Sequence, residues 1–340
     1  MPALWTDVID PAELTGYARA SLADYELQRG TLARWLPNRD TQDTVVRFVA
    51  GQHGLIPEAR YRAYDAEPEI GKGQGGKRVT IELPAISQEV PVGEWQQLQQ
   101  RRASDDDLRN HIARTVDNVV RAIADRVEKT RGVVLSTGKA TINQSNFKID
   151  DDFGRDPALT YTAPALWSVP TTDALSQLVA AQDLYVEKAG ADPGTILMSR
   201  RALRALSATD GFVTTLGNGA SRPATADQVN AIISSAGLPP IITYDRRTAS
   251  GRVLPDTLVL LLPPEVDPTD WQGTELGATF WGETLTALDA DYGIEPAETP
   301  GIVAGVYRNE TPPLIAEVIG DSINLPVLAN ANLSLALTVL

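Results

Sequence analysis

One stretch constrains the fold more than any other. Ser104 is followed by Asp105, Asp106 and Asp107, and then Leu108, Ile112, Val116, Val119, Val120, Ile123 and Val127 recur at spacings of three and four. That is the period of an α-helix with a single apolar stripe. The three aspartates fill the first turn, where the helix dipole favours negative charge. Lys129 and Arg131 suit the last turn, and Gly132 follows as a stop signal. The spacing predicts a helix over 104–131. Such a helix is about 40 Å long. A helix of that length with one stripe needs one broad apolar partner, which predicts a spine lying across a sheet. Adjacent helical positions point in different directions, so the aspartate triplet reads as dipole complementation rather than a metal site.

The flanks supply the rest of the architecture. Asp10 is a good N-cap, Pro11 suits the first helical position and Glu13 lies three residues on, as in a capping box. Leu14, Tyr17, Ala18, Ser21, Leu22 and Tyr25 then form one stripe, and Gly30 ends it before Leu32-Ala33-Arg34-Trp35-Leu36-Pro37. Two readings stay open for this helix: an arm that docks on another surface, or a first helix packed on its own domain. Residues 44–49 read as a strand, and so do Val133–Ser136 and Ala140–Ile142 around a Gly138-Lys139 turn. The run Asp150–Asp156 has Arg155 and Tyr161 where a calcium loop needs Gly and Glu. It reads as a solvated acidic turn.

Residues 171–270 read as an α/β unit. Thr172 caps one helix, Ser199 caps a short one over Arg200–Leu206, and Thr225 with Gln228 forms a capping box. Thr195–Met198, Ile241–Tyr244 and Thr257–Leu262 are its strands. Residues 271–340 are mostly β, ending in an alternating strand from Leu325 to Leu340 that is expected to close a sheet.

A glycine-rich loop then raises the question of function. Gly71, Lys72, Gly73, Gln74, Gly75, Gly76 and Lys77 fit the first seven positions of a phosphate-binding loop. The eighth should be Ser or Thr and is Arg78. Such a loop follows a buried strand and opens a helix. Here Asp65–Ile70 is acidic and broken by Pro68, while Arg78–Leu83 alternates like a strand and stops at Pro84. Strand, glycine tip and strand predict a long β-hairpin, running roughly from Arg60 to Pro91. A two-stranded hairpin is marginal alone in water, so a long one must lie on another surface. This points to assembly. The different-class alternative is a nucleotide-dependent enzyme using 71–77.

Composition narrows the choice. The chain has no cysteine, which excludes disulfides, thiolate metal sites and cysteine nucleophiles. Its two histidines are His53 and His111. The latter is mid-helix among polar residues and is expected to be solvated. The formal net charge is −14. That opposes non-specific binding to nucleic acid but allows a protein to enclose it. No run approaches the roughly 18 apolar residues of a membrane helix, and no signal peptide is visible, so cytoplasmic synthesis is expected.

The order of arm, long hairpin, spine helix, α/β unit and return strands resembles the major capsid proteins of tailed bacteriophages. The segments that carry the resemblance are Leu4-Trp5-Thr6-Asp7-Val8-Ile9, Leu32–Asn38, Gly76–Pro84, Thr311-Pro312-Pro313-Leu314, Ile319-Gly320-Asp321 and Leu325-Pro326-Val327-Leu328. The likeness covers nearly the whole chain and is nearest to the lambda-type branch and its actinobacteriophage relatives. It implies an α+β fold of the Hong Kong 97 type. In that scheme 1–47 is an N-terminal arm and 48–100 an extended loop. Residues 101–170 and 271–310 form a peripheral domain, and 171–270 and 311–340 an axial domain. It also implies a structural, non-enzymatic protein without a cofactor, which forms hexamers and pentamers of an icosahedral head around double-stranded DNA. Implied partners are further copies of the chain, a scaffolding protein, a portal and, optionally, a decoration protein, with no membrane and no sequence-specific DNA contact. The implied location is the virion, assembled in the host cytoplasm. Gly71, Lys72, Gly73, Gly75, Gly76, Lys77 and Arg78 are the expected inter-subunit contact at the loop tip. Lysine cross-linking chemistry is not carried over, because no local motif identifies its partners. The start at Met1 leaves no room for a cleaved scaffolding segment, so a separate scaffold is expected. The same-fold alternative is an encapsulin shell.

Overall fold

The computed structural model describes residues 2–6, 9–50, 77–101, 105–144, 147–215 and 221–340. Strand β1 (Pro2–Leu4), helix α1 (Pro11–Arg29) and strand β2 (Asn38–Asp40) come first. Strands β3 (Val45–Ala50), β4 (Lys77–Glu82) and β5 (Ala85–Val92) lead to helix α2 (Glu94–Arg101) and the spine helix α3 (Asp105–Thr137). Next are β6 (Lys139–Asn143), β7 (Lys148–Asp152), β8 (Thr160–Thr162), α4 (Ala174–Ala189), β9 (Thr195–Met198) and α5 (Arg200–Ser207). The short strands β10 (Thr214–Thr215) and β11 (Ser221–Arg222), helix α6 (Ala226–Ser235) and β12 (Ile241–Thr243) follow. The chain finishes with β13 (Arg247–Thr248), β14 (Gly251–Arg252), β15 (Leu258–Leu262), β16 (Gly277–Gly282), β17 (Val303–Asn309), β18 (Ala316–Leu328) and β19 (Leu335–Thr338).

The spine is longer than its sequence signals predict. It runs for 33 residues. With the rise of an α-helix, its length is about 50 Å. Gly132 lies inside it and does not stop it. A Cβ there would sit 2.5 Å from the Val253 carbonyl oxygen and 2.7 Å from Val253 Cγ1. The glycine therefore makes room for a neighbouring backbone. Val133–Ser136, expected as a strand, is the last helical turn, with Val134 and Leu135 fully buried. The acidic run behind it also departs from expectation. Lys148–Asp152 is β7, paired with β6, and Asp152 bridges Lys139 at 2.8 Å. Arg155 turns inward and donates to the carbonyls of Leu135 (2.6 Å) and Ser136 (3.1 Å). It thereby satisfies the open end of the spine. Burial pulls the pKa of the Arg155 guanidinium down to about 10.

The stripe predicted from sequence is the face that meets the larger sheet. Leu108, Ile112, Val116, Val119, Val120, Ile123 and Val127 are all buried. The 13-residue β18 is the centre of this sheet. One edge of β18 pairs with β5, from Ala316↔Val92 to Ile323↔Ala85. The other edge pairs with β17 (Asp321↔Val303 onward) and with β16 (Ile323↔Gly282 onward), which lie end to end. β1 flanks β17 and β2 flanks β16. Val119 packs where a side chain at Gly320 would stand, so the spine lies close on the strand. Helix α1 sits on α3 and β17 through Leu14 and Ala18, with Thr15 donating to the Ala304 carbonyl and Tyr17 and Ser21 to Asp117. The first helix is thus packed on its own chain.

A second sheet has the order β12-β9-β15-β19-β8. Ser199 caps α5 and Thr225 with Gln228 boxes α6, as their sequences predict. Helix α4 is capped by Asp173, because the Thr172 hydroxyl donates to the Leu166 carbonyl instead. The last segment is divided. β18 belongs to the larger sheet, and after a short turn at Ala331–Leu333 the chain crosses to place β19 between β15 and β8. β19 is therefore internal rather than a closing edge, and 311–340 contributes to both sheets.

Gly132 yields a sign test. In an exposed helix interior, Gly→Ala stabilises by roughly 0.5–1 kcal/mol. Here the added methyl would meet Val253. Gly132→Ala is therefore expected to destabilise by about 1–3 kcal/mol through overpacking. Denaturant unfolding of the subunit measures it, and a variant as stable as the parent would refute the close-approach role.

Candidate assembly site

The glycine loop itself, Gly71, Lys72, Gly73, Gly75 and Gly76 included, lies outside the described residues. Its root is described. Lys77 and Arg78 open β4, opposite Ala50 and Val49. The partner of β4 is β3, from Val45↔Glu82 to Ala50↔Lys77, so the ascending strand lies upstream of the expected start at Arg60. Strand β4 stops at Glu82, just before Pro84, as expected. The chain continues into β5, and the Pro84 carbonyl accepts from Asn324 N at 3.2 Å. Val46, Ile81 and Leu83 are buried with Leu32, Trp35 and Leu36, which anchors the hairpin to the body.

A cleft of about 600 Å³ opens beside this root. Arg39 lines it, with the guanidinium 3.9 Å from the Trp271 ring and 5.1 Å from the Phe280 ring. Asp43, Arg47 and Glu275 flank it, and its described lining includes no histidine or lysine. Among the described residues no group of three or more His, Asp and Glu side chains could hold a metal ion, and no helix is long and apolar enough to cross a membrane.

Beneath the root lies a buried charged cluster. The fully buried Arg131 donates through Nη1 to Glu26 (2.7 Å), Glu128 (3.0 Å) and Thr31 (3.1 Å), through Nη2 to Asn38 (2.5 Å), and through Nε to Thr279 (2.9 Å). Glu128, equally buried, accepts from Leu32 N (2.7 Å), from the Thr31 hydroxyl (3.1 Å) and from the Tyr244 hydroxyl. Arg246 completes the group, donating to the Gly30 carbonyl at 2.9 Å and to Asp125 at 3.1 Å. The cluster thus joins the end of α1, β2, the spine, β16 and the segment after β12.

Charge balance explains how the cluster survives burial. Burial by itself works against the charge on Arg131, but Glu26 and Glu128 outweigh it and hold the guanidinium above its ordinary range. Burial first, and then Glu128, push Tyr244 far above an ordinary phenol, so its hydroxyl stays protonated and donates. Sequence reasoning placed Arg131 in the last turn of the helix, beside the stop at Gly132. The missed signal is register: Arg131 falls four residues after Val127 and four before Leu135, in the place of an apolar residue.

Apolar side chains also stand in solvent. Trp95 and Leu98 on α2, and Leu285 and Leu288 in the excursion between β16 and β17, are the clearest pairs. The arrangement therefore offers rigid supports and docking surfaces.

Comparisons with known proteins give the family and the fold. The family model described as phage major capsid protein E matches residues 12–274. Among solved structures, a prophage protein of E. coli CFT073 described as a capsid protein is similar over 100% of both chains, at 15% identity and a TM-score of 0.59. A phage-related protein from Bordetella bronchiseptica RB50 covers 98% of this chain and 97% of its own, at 15% identity and a TM-score of 0.57. A chain of Mycobacterium phage Patience covers 99% and 90%, at 15% identity and a TM-score of 0.50. At these identities the likeness is one of fold. No curated protein sequence matches the chain significantly.

The buried cluster predicts an order of stability losses. Arg131→Met strands two buried carboxylates and is expected to cost about 3–5 kcal/mol. Tyr244→Phe removes one donor from Glu128 and is expected to cost about 1–3 kcal/mol. Chemical denaturation of the two variants checks this; Arg131→Met within about 1 kcal/mol of the parent would contradict it.

Proposed function

Because the chain belongs to the phage major capsid protein E family, we propose that its copies close into the hexamers and pentamers of an icosahedral phage head around double-stranded DNA. The observation that carries this is the family match over 12–274, with fold likeness to prophage and phage proteins along the full chain. The role is structural rather than catalytic, and the location is the virion. The phage-head reading is preferred to an encapsulin shell for the same reason.

The proposed mechanism is mechanical. Residues 1–47 stay packed on the chain's own spine and larger sheet, and the part of 48–100 that precedes β5 acts as the extended loop that overlaps a neighbouring copy, while β5 and α2 remain with the body. The larger sheet with the spine serves as the peripheral unit, and the second sheet with α4 to α6 as the axial one. The hairpin root is held by buried Val46, Ile81 and Leu83, so force on the loop is passed to the body. Gly71, Gly73, Gly75 and Gly76 give the tip conformational freedom while the shell assembles and expands. Lys72, Lys77 and Arg78 meet acidic surface on the next copy of a chain whose net charge is −14. A scaffolding protein and a portal guide assembly, with a decoration protein as an optional partner. DNA is enclosed without sequence-specific contacts.

Co-expression with the scaffold gene, followed by negative-stain microscopy, tests the reading. Icosahedral particles are expected; a strictly monomeric species under every condition would overturn it. Replacing Gly73 and Gly75 with valine is expected to lower particle yield while circular dichroism of the subunit stays unchanged. Unaltered yield would remove the tip from the mechanism.

A further inference from the structure

The topology gathers charge at one end of the second sheet. β9 and β12 are parallel neighbours, with Ile196 opposite Ile241, so both leave the sheet at the same end. β15 is antiparallel to β9 and enters there, Val259 lying opposite Met198. Arg200 follows β9, Asp245 and Arg247 follow β12, and Arg252 and Asp256 precede β15. Hydrogen bonds and ion pairs join them. Arg200 N donates to Asp245 at 3.1 Å, Arg252 pairs with Asp245 at 2.6 Å, and Arg201 pairs with Asp256 at 3.1 Å. The Ser199 hydroxyl donates to the Asp256 carbonyl at 2.8 Å, which fixes the start of α5 to the same cluster.

Cations outnumber anions on this face. Arg204 stands one turn along α5 and donates to the Arg200 carbonyl at 3.2 Å. Arg247 lies opposite Arg252 across β13 and β14, and Lys129 of the spine donates to the Arg252 carbonyl. Among the described residues, neither Arg204 nor Arg247 has a carboxylate within ion-pair distance; the pairs to Asp245 and Asp256 come from Arg200, Arg201 and Arg252. The nearby Asp125 and Glu128 are taken up by Arg246 and Arg131. Asp210 and Asp227 lie with Arg222 beyond the other end of α5, where Ala224 N donates to the Ser207 carbonyl at 3.1 Å. The cations also project further. The side chains of Arg200 and Arg201 are 76% and 59% exposed, against 25% and 27% for Asp245 and Asp256. A ligand approaching this face therefore meets guanidinium groups first.

The rest of the chain has the opposite sign. Residues 195–262 hold seven arginines, four aspartates and no Lys or Glu, a net charge of +3, which leaves −17 for the remainder of a chain of net charge −14. A polyanion is repelled by that remainder and drawn to this face.

We propose that this arginine face binds the phosphate backbone of double-stranded DNA. Guanidinium forks match phosphate oxygens bidentately. DNA presents one charge per roughly 1.7 Å of its axis, an unbroken row that a protein surface of mixed charge does not offer. Asp245 and Asp256 hold two of the guanidinium groups in place, so less side-chain freedom is lost on binding. Contacts to phosphate carry no sequence information. The proposal rests on the shell reading, which supplies the DNA, and names the surface turned toward it.

Fluorescence anisotropy of a labelled duplex of about 30 base pairs, titrated with the unassembled subunit from about 50 mM salt upward, tests it. Binding is expected, with log K falling against log salt at a slope of about −3 to −5. Arg200→Gln, Arg204→Gln and Arg247→Gln together are expected to weaken binding at least tenfold at about 50 mM salt and to flatten the slope by about 2 to 3. If that variant does not fold, the double variant Arg204→Gln, Arg247→Gln, which breaks no ion pair, decides, with the slope flattened by about 2. A parent subunit that leaves the duplex free, or a variant that binds it as the parent does, overturns the proposal. If the variant with unchanged duplex affinity also forms no particles, the face belongs to a neighbouring copy instead. Microscopy of the parent with its scaffold is read separately: missing particles overturn the shell reading, whatever the duplex affinity.

Discussion

Arg131 is the group around which the structure is arranged. A guanidinium removed from water costs several kcal/mol, and the cost is offset only if its N–H groups all find acceptors and its charge is balanced. Glu26 and Glu128 balance the charge and, with Asn38, Thr31 and Thr279, give each of its three nitrogens an acceptor, and they come from separate parts of the chain. Apolar contact alone would let α1 and β2 slide on the spine with little penalty. Hydrogen bonds to a buried cation have direction, so a small slide leaves an unpaired charge. The cluster therefore sets the position of the N-terminal segment with a specificity that its apolar residues lack.

The same cluster couples the two sheets. Tyr244 and Arg246 follow β12 of the smaller sheet, Thr279 lies in β16 of the larger one, and Glu128 and Arg131 stand on the helix between them. One turn beyond Glu128 on that helix, Gly132 lets the Val253 backbone press against it. The spine thus passes from an apolar stretch on β18 to a polar junction, and then to a buried last turn closed by Arg155. A load applied at the hairpin root, which packs with Trp35 and Leu36, reaches this junction within one layer of side chains.

Much of this was legible in the sequence, and the exceptions share a cause. The apolar stripe of the spine, the caps of α1, α5 and α6, and the strands β9 and β15 follow from local periodicity and local hydrogen bonding, which a sequence displays directly. The extent of the spine was not legible, because Gly132 looks like a helix stop when the reason for it is Val253, far along the chain. Arg155 was hidden in an acidic run for a similar reason: its task is set by the carbonyls of Leu135 and Ser136. The pairing of β3 with β4 skips the segment 51–76, so periodicity could find each strand but not the match. The charged cluster of Arg131 depends on partners such as Glu26, Asn38 and Thr279 that are distant in sequence, and it shows locally only as a charge in an apolar register.

Electrostatics then limits how such copies can meet. Two chains of net charge −14 repel at long range. Salt at physiological strength confines that repulsion to about 8 Å. A contact that holds the copies together must therefore act at short range. Two kinds of surface qualify: apolar side chains that gain from leaving water, and short basic stretches facing acidic ones. The exposed Trp95, Leu98, Leu285 and Leu288 are of the first kind, and Lys72, Lys77 and Arg78 are the proposed instance of the second. Inside the subunit opposite charges are buried against one another and fix one geometry. On its surface an excess of one charge keeps copies apart until the few surfaces able to overcome it are aligned.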